Sequence, residues 1–290
     1  MSIIISKKGK NAQKLDTTII AEESYLQQYI SDNPNSLPLD EIAEDIRLLI
    51  LAREFPTRSG KIDALGIDDD GNIYVIETKL YKNADKRVVL AQVLDYGASL
   101  WRTYEDTDLF LEELERAADK MFNEPLAQKV QKFYETDVET VADIRQSIRR
   151  NLRDGNFRFV VLMDHLEDRL RDLLLFVNQN SNFNIYGVEM RFYKFEDYEI
   201  LIPQLYGAEV KKSVGIAKPP SSSRESTEIH KAIVRMIDRP LRKNEIMHRL
   251  RDAGMQIGEK TLQRRLKEAV DWGDLASPLK GYYSPIQPKG

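Results

Sequence analysis

The 290-residue sequence has no cysteine, so neither a disulfide framework nor a thiolate-held zinc is possible. It has only three histidines, and none is spaced as a metal-ligand pair, so any metal must be held by oxygen. Long apolar runs are missing as well. The opening MSIIISKKGK is too short in its apolar part for a signal-peptide core, and no run of about 18 apolar residues follows. These absences lead us to expect a soluble cytoplasmic protein. What is present is an ordinary apolar content (42% hydrophobic), enough to bury a core in one large domain or two unequal ones.

Charge of one sign is unevenly spread under a net charge of −4. Residues 1–210 carry 26 Lys+Arg against 38 Asp+Glu, residues 211–226 carry 4 against 1, and residues 227–290 carry 13 against 8. An acidic body repels a polyanion, so a nucleic-acid ligand would find its electrostatic handle in the C-terminal part. Solvated surface charge explains the same counts. The boundary lies in KKSVGIAKPPSSSRES, residues 211–226, where apolar periodicity gives way to Pro, Ser and Lys as in a flexible linker. The sequence is therefore read as a domain over 1–210, a linker over 211–226 and a small domain over 227–290.

Within the first domain the patterning predicts a helix around Glu22–Asp32 and strands near Leu48–Phe55, Gly60–Asp68 and Asn72–Lys79. A helix over Lys86–Arg102 follows, then a charged helical insertion over 104–154 with Leu109, Leu111 and Leu114 among its apolar positions. Next come a fully apolar strand Phe157–Met163, an amphipathic helix Glu167–Asn178, and a strand pair over Asn184–Phe195 and Tyr198–Ile202. That order implies an α/β domain with a mixed sheet flanked by helices.

Asp68-Asp69-Asp70-Gly71-Asn72 marks a hairpin turn, with Gly71 supplying a positive φ. If the turn centres on Asp70, Asp63 faces Glu77 with Cβ atoms about 4.5–5.5 Å apart, and alternation puts Lys79 on the same face. Leu65, Ile67, Ile73 and Val75 share that side, so two carboxylates end an apolar stripe. Like charges this close need a proton or a cation between them, and two carboxylates with a main-chain carbonyl and waters suit magnesium. The spacing fits equally well three solvated strand-end residues, with Glu77 and Lys79 as a surface pair. On the first helix Glu23, Leu26, Gln27 and Ile30 form one stripe, and on the next Val89, Gln92, Tyr96 and Leu100 form another. Those patterns turn Glu23 and Gln92 inward. A dipole-favoured helix-start carboxylate and an ordinary helix-flank amide are the plain alternatives.

The stretch GKIDALGIDDDGNIYVIETKL, residues 60–80, resembles the core of PD-(D/E)XK nucleases, in which an Asp is followed by a hairpin and then Glu-X-Lys. The usual proline is absent, and Ile62 precedes Asp63, as in many RecB-like and mismatch-nuclease branches. AQVLDYGASLW resembles the Gln-x-x-x-Tyr element of RecB-like members, mapping onto Gln92 and Tyr96. EESYLQQYISDNPNSLPL resembles their first helix, whose acidic residue maps to Glu23, with Glu22 as the alternative. The resemblance implies a restriction-endonuclease-like fold and phosphodiester hydrolysis by metal-activated water. In that scheme Asp63, Glu77 and the carbonyl of Thr78 hold Mg²⁺ (or Mn²⁺), Lys79 assists the water, Glu23 orients it or helps hold a second ion, and Gln92 contacts the phosphate or fixes Lys79.

After the linker, helices are expected over Glu228–Ile237 and Lys243–Ala253, the second stopped by Gly254, and a third begins near Gly258. On the third, Leu262, Leu266, Ala269 and Val270 face inward and leave Lys260, Arg264 and Lys267 as an outward basic stripe flanked by Gln263 and Arg265. WGDLASPLKGYYSP then suggests a hairpin wing bearing Lys280, Gly281, Tyr282 and Tyr283. The ensemble resembles a winged helix, which would place its third helix in the major groove of DNA. Winged helices also serve as protein-interaction modules. The combined reading is a metal-dependent deoxyribonuclease acting in restriction, repair or anti-phage defence, with DNA as partner and, as in many family members, a homodimer. A non-catalytic DNA-binding protein on a degenerate nuclease scaffold, or a nuclease acting on RNA, is the alternative.

Overall fold

The computed structural model describes residues 3–42, 46–83, 86–182, 184–207, 228–255, 259–277 and 282–286. The expected linker, 211–226, lies outside the described residues. The chain divides into two compact units, residues 1–129 with 142–216, and residues 130–141 with 217–290.

The first unit is α/β, as the patterning implied. Its six-stranded mixed sheet has the order β3-β4-β5-β6-β7-β8, built from β3 (Leu49–Thr57), β4 (Gly60–Ile67), β5 (Ile73–Lys79), β6 (Phe157–Met163), β7 (Asn184–Phe195) and β8 (Tyr198–Tyr206). Hairpins make β3-β4-β5 and β7-β8 antiparallel, whereas β5-β6-β7 are parallel and joined by helical crossovers. Parallel central strands must be covered on both faces, and β5 and β6 read as continuous apolar runs for that reason. Helix α1 (Glu23–Asp32) lays Leu26 and Ile30 on one face against Ala64, Tyr74, Ile76 and Val160. Helix α2 (Lys86–Thr103) covers the other, burying Val89, Val93, Tyr96 and Leu100. It comes so close at Gly97 that a Cβ there would stand 2.6 Å from the Phe159 ring. The expected insertion consists of α3 (Thr107–Phe122), α4 (Leu126–Tyr134) and α5 (Val138–Arg153), followed after β6 by α6 (Asp168–Asn180).

Two features depart from expectation. Of the three leucines named in the insertion, Leu111 and Leu114 are buried with Phe110, whereas Leu109 is 51% exposed. Residues 3–15, for which the patterning predicted no element, form an antiparallel hairpin of β1 (Ile3–Lys7) and β2 (Lys10–Leu15).

The turn between β4 and β5 is fixed by a buried carboxylate. Asp68 Oδ1 accepts from the backbone N–H of Asp70 (3.1 Å) and Asn72 (2.9 Å), and Oδ2 accepts from Tyr74 OH (3.0 Å) and Arg158 (3.0 Å). Side-chain capture of the backbone two and four residues on is what makes Asp a turn residue. Here it also holds Arg158 of β6, so the turn is tied to the middle of the sheet. Gly71 adopts φ +74°, and Asn151 of α5 donates to its carbonyl at 2.8 Å.

In the second unit, α7 (Glu228–Met236), β9 (Leu241–Arg242), α8 (Lys243–Asp252), α9 (Glu259–Asp271), β10 (Leu275–Ala276) and β11 (Tyr282–Pro285) follow in chain order. The strands form a small sheet ordered β10-β11-β9. Ile233, Ile246, Leu250, Leu262, Leu266 and Leu275 pack into its core. Gly254, at φ +80°, ends α8 as expected. Among the described residues no helix is long and apolar enough to cross a membrane.

A side chain at Gly71 would meet both the left-handed backbone penalty and α5, since its Cβ would stand 2.7 Å from the Ile144 carbonyl and from Ser147 Cβ. Gly71→Ala is expected to lower unfolding free energy by about 2–4 kcal/mol in urea titrations. An unchanged midpoint would contradict the tight seating of α5 on this turn.

Candidate active site

The β4-β5 ladder pairs Leu65 with Val75 and ends at Ala64 opposite Ile76, so Asp63 and Glu77 occupy the next position, where the strands part. That is the register expected from a turn centred on Asp70. The N–H that a continued ladder would occupy is satisfied otherwise: Thr78 donates both its backbone N–H and its hydroxyl to Asp63 Oδ2, each at 2.7 Å. Glu77 is fully buried, and among the described residues neither carboxylate oxygen has a hydrogen-bond partner of good geometry. Among the described residues its one close charge of opposite sign is Lys79, whose Nζ lies 3.1 Å from Glu77 Oε1.

Helix α1 delivers Glu23 to the same sheet edge. One carboxylate oxygen accepts from Leu80 N–H (3.2 Å) and Asn83 Nδ2 (3.2 Å), and the other lies 3.5 Å from Lys79 Nζ. Glu22 turns away and accepts from Ser24, so of the two candidate acids the structure brings Glu23 to the centre. From α2, Gln92 donates to Tyr96 OH at 2.8 Å. Patterning alone missed Asn83 and the Thr78 hydroxyl, since both contacts depend on where the chain turns after β5.

Burial raises the Glu77 carboxyl to about 7, reinforced by the neighbouring Asp63 charge and opposed by Lys79. Burial works the other way on Lys79, but Glu77 and Glu23 outweigh it and raise the ammonium further above its ordinary value. Lys79 is thus a fixed cation. Tyr96 is raised by burial, and it also senses the charges of Glu77 and Asp63, which puts its hydroxyl within the field of this centre.

Among the described residues no group of three or more His, Cys, Asp or Glu side chains stands close enough to hold an ion unaided. Asp63 and Glu77 are a pair, and magnesium usually takes only one or two carboxylates and completes its shell from carbonyl and water. The Glu77 oxygen that Lys79 does not face is the feature that fits a cation, since a buried carboxylate short of donors is costly.

The C-terminal residues singled out from sequence are placed unevenly. Lys267 and Gln263 are exposed on α9, and Gln263 accepts from Lys243 at 3.4 Å. Tyr282 receives Arg242 Nε at 2.6 Å across β9 and β11. Arg265 departs from expectation: it is 6% exposed and paired with Glu268 at 3.0 Å, because the helical repeat turns it toward the core beside Leu262 and Leu266. Lys280 lies outside the described residues, as do the side chains of Lys260 and Arg264.

No protein-family model and no curated protein matches this sequence. A crystal structure of a repair endonuclease from Pyrococcus abyssi is similar at 14% identity and a TM-score of 0.26, with 65% of each chain covered, just under two thirds of that chain. So slight a likeness carries no argument about the chemistry, which rests on the geometry above.

With its carboxyl raised to about 7, Glu77 binds its proton more tightly in the folded chain than in the unfolded one. Raising the pH from about 4.5 to 7 therefore weakens the fold, by about 3 kcal/mol in the limit, and the cost stays constant above that range. In EDTA, Glu77→Gln is expected to melt higher than the parent at pH 8 and equally at pH 4.5. Parallel melting curves at both pH values would refute the buried, ionised Glu77.

Proposed function

We propose that the chain is a metal-dependent nuclease of PD-(D/E)XK type that hydrolyses DNA phosphodiester bonds at the Asp63/Glu77/Lys79 centre. The observation that carries this reading is a fully buried Glu77 with no hydrogen-bond donor of good geometry among the described residues, set opposite Asp63 and beside a fixed lysine cation. Lys79 faces one oxygen at 3.1 Å, and among the described residues nothing faces the other, which is the oxygen a bound cation could take.

Asp63, Glu77 and the carbonyl of Thr78 are assigned to Mg²⁺, which Mn²⁺ could replace. When bound, the ion would supply charge neutralisation at the phosphate and a water of lowered pKa. The chain's own groups do the rest. Thr78 holds Asp63 by two hydrogen bonds, which fixes one carboxylate oxygen and leaves the other for the ion. Lys79, kept charged by Glu77 and Glu23, acts by attracting the phosphate oxygens and the attacking water, with no proton to accept. Glu23 sets the lysine's position, and Gln92 with Tyr96 offers neutral donors beside the substrate.

The second unit is read as a winged-helix module that recruits DNA. The order helix, strand, helix, helix, strand, strand and the three-stranded β10-β11-β9 sheet support this, as does the exposure of Lys267 and Gln263 on α9. A homodimer is proposed only by analogy with nucleases that cut both strands, and DNA is preferred over RNA on the module's account.

Purified protein incubated with single-stranded, duplex, branched and mismatched DNA, and with RNA, is expected to cleave a DNA substrate in Mg²⁺ or Mn²⁺ and none in EDTA. Asp63→Ala and Lys79→Ala should each lower the rate by at least about a hundredfold at a temperature where the variant is folded, although Lys79→Ala also melts lower because it strips buried Glu77 of its cation. A variant that cuts at the parental rate would refute the assignment. Lys267→Ala should weaken DNA binding and flatten its dependence on salt by roughly one phosphate contact; binding with unchanged slope would assign the second unit to a protein partner instead.

A further inference from the structure

A second cluster of charged side chains gathers on Glu189 of β7. Its carboxylate is 1% exposed, a burial that would be costly without partners. Oε2 accepts from Arg171 (2.6 Å) and Tyr206 OH (3.3 Å), and Oε1 accepts from Arg191 Nε (2.8 Å) and faces His165 Nδ1 (3.3 Å). Burial pushes the carboxyl up, but the hydrogen bonds from Arg191 and His165 outweigh it and hold the group below its ordinary value. Two guanidinium groups thus share one buried anion. Asp168 also pairs with Arg171, so the cluster is close to charge-neutral, and what it offers is two guanidinium groups held in fixed positions on a domain whose residues 1–210 carry twelve more acidic than basic side chains, 38 against 26.

The position of this cluster ties it to the centre already described. The parallel register places Lys79 beside Met163 and Met163 beside Glu189, one row across the sheet edge. Two strand spacings separate Lys79 from Glu189, about 9.6 Å. The row is bridged on the surface by Tyr81, whose N–H donates to Asp164 at 2.7 Å and whose ring lies 4.9 Å from the His165 ring. Arg191 spends its Nε on Glu189, and no hydrogen bond engages its two outer nitrogens among the described residues, although its side chain is 24% exposed. Arg171 stacks on Tyr206 at 4.3 Å, and its remaining partner is Asp168, a 94% exposed carboxylate at 3.2 Å, a surface pair that an incoming phosphate can replace.

We infer that Arg191 and Arg171, aimed by Glu189, form a binding subsite for a backbone phosphate of the nucleic-acid strand that is cut at Lys79. The path between successive phosphates is longer than the axial rise of about 3.4 Å, so a separation near 9.6 Å places that phosphate about one to two nucleotides along the strand. Glu189 is a positioning residue. It fixes the guanidinium forks in advance, which spares the entropy of ordering two long side chains at the moment of binding. The subsite rests on reading the Asp63/Glu77 centre as a phosphodiester site.

The test uses the full chain in a Lys79→Ala background, which removes cleavage, with fluorescein-labelled 12-nucleotide single strands and duplexes followed by anisotropy over a range of salt. Adding Arg191→Ala is expected to weaken binding roughly three- to tenfold and to make the plot of log K against log salt shallower by about one phosphate. Arg191→Lys, which keeps the charge but loses the fork, should restore the slope and only part of the affinity. If Arg191→Ala melts well below the background protein, Arg171→Ala carries the same expectation, since it leaves Glu189 paired with Arg191. Equal affinity and equal slope in a variant that melts normally would overturn the subsite, as would failure of the background protein to bind either oligonucleotide. Cleavage by the chain with Lys79 intact separates the two ideas. Cutting with a KM indifferent to Arg191→Ala leaves the nuclease standing and removes the subsite, while an Arg191-dependent affinity without any cutting removes the nuclease and leaves Arg191 as a phosphate contact with no cleavage site to serve.

Discussion

The buried carboxylate of Asp68 is the constraint on which the candidate site depends. By taking the N–H groups of Asp70 and Asn72 it sets the turn, and by holding Tyr74 and Arg158 it anchors that turn in the sheet. The turn sets the β4-β5 register, and the register decides which side chains share a face. A slip of one residue would send Asp63 and Glu77 to opposite faces. The helical insertion reinforces the same point, because α5 seats on Gly71 and Asn151 binds its carbonyl.

What this register places at the end of β5 is electrostatically expensive. Two carboxylates meet there, Asp63 half-buried and Glu77 fully buried, and among the described residues Glu77 has no hydrogen-bond donor of good geometry. Lys79 offsets part of the cost, and Glu23 in turn holds Lys79. The structure around the pair is otherwise conventional. Leu65, Ile67, Ile73 and Val75 are all buried on the strands that lead to it. Asp63 is held by Thr78, whereas Glu77 ends the apolar stripe with only Lys79 beside it among the described residues, and a buried carboxyl perturbed in this way marks a candidate site.

Glu189 handles the same problem differently. It is as deeply buried as Glu77, yet it is saturated by arginine, histidine and tyrosine donors. The contrast between two buried glutamates separates the roles proposed for them, since one is short of partners among the described residues and the other is held by two arginines.

Period and turn chemistry made much of the first unit legible in sequence. The alternation in β4 and β5, the Asp-Gly-Asn turn and the uninterrupted apolar run of β6 are local signals, and the strands lie within a few residues of where they point. The stripes of α1 and α2 were readable for the same reason, and they carry Glu23 and Gln92 toward the sheet edge. Tertiary structure decided what depends on distant partners. It chose Glu23 over Glu22, turned Arg265 inward to Glu268, and paired Glu189 with residues 18 positions before it and 2 after it. A glutamate inside the apolar run NIYGVEMRFYKF signals a buried charge, but the sequence cannot say which cations satisfy it. Local patterns fix which face a side chain takes, because helix and strand periods are properties of the backbone. Whether a buried charge is satisfied depends on which other strands and helices arrive beside it, and only the folded chain decides that.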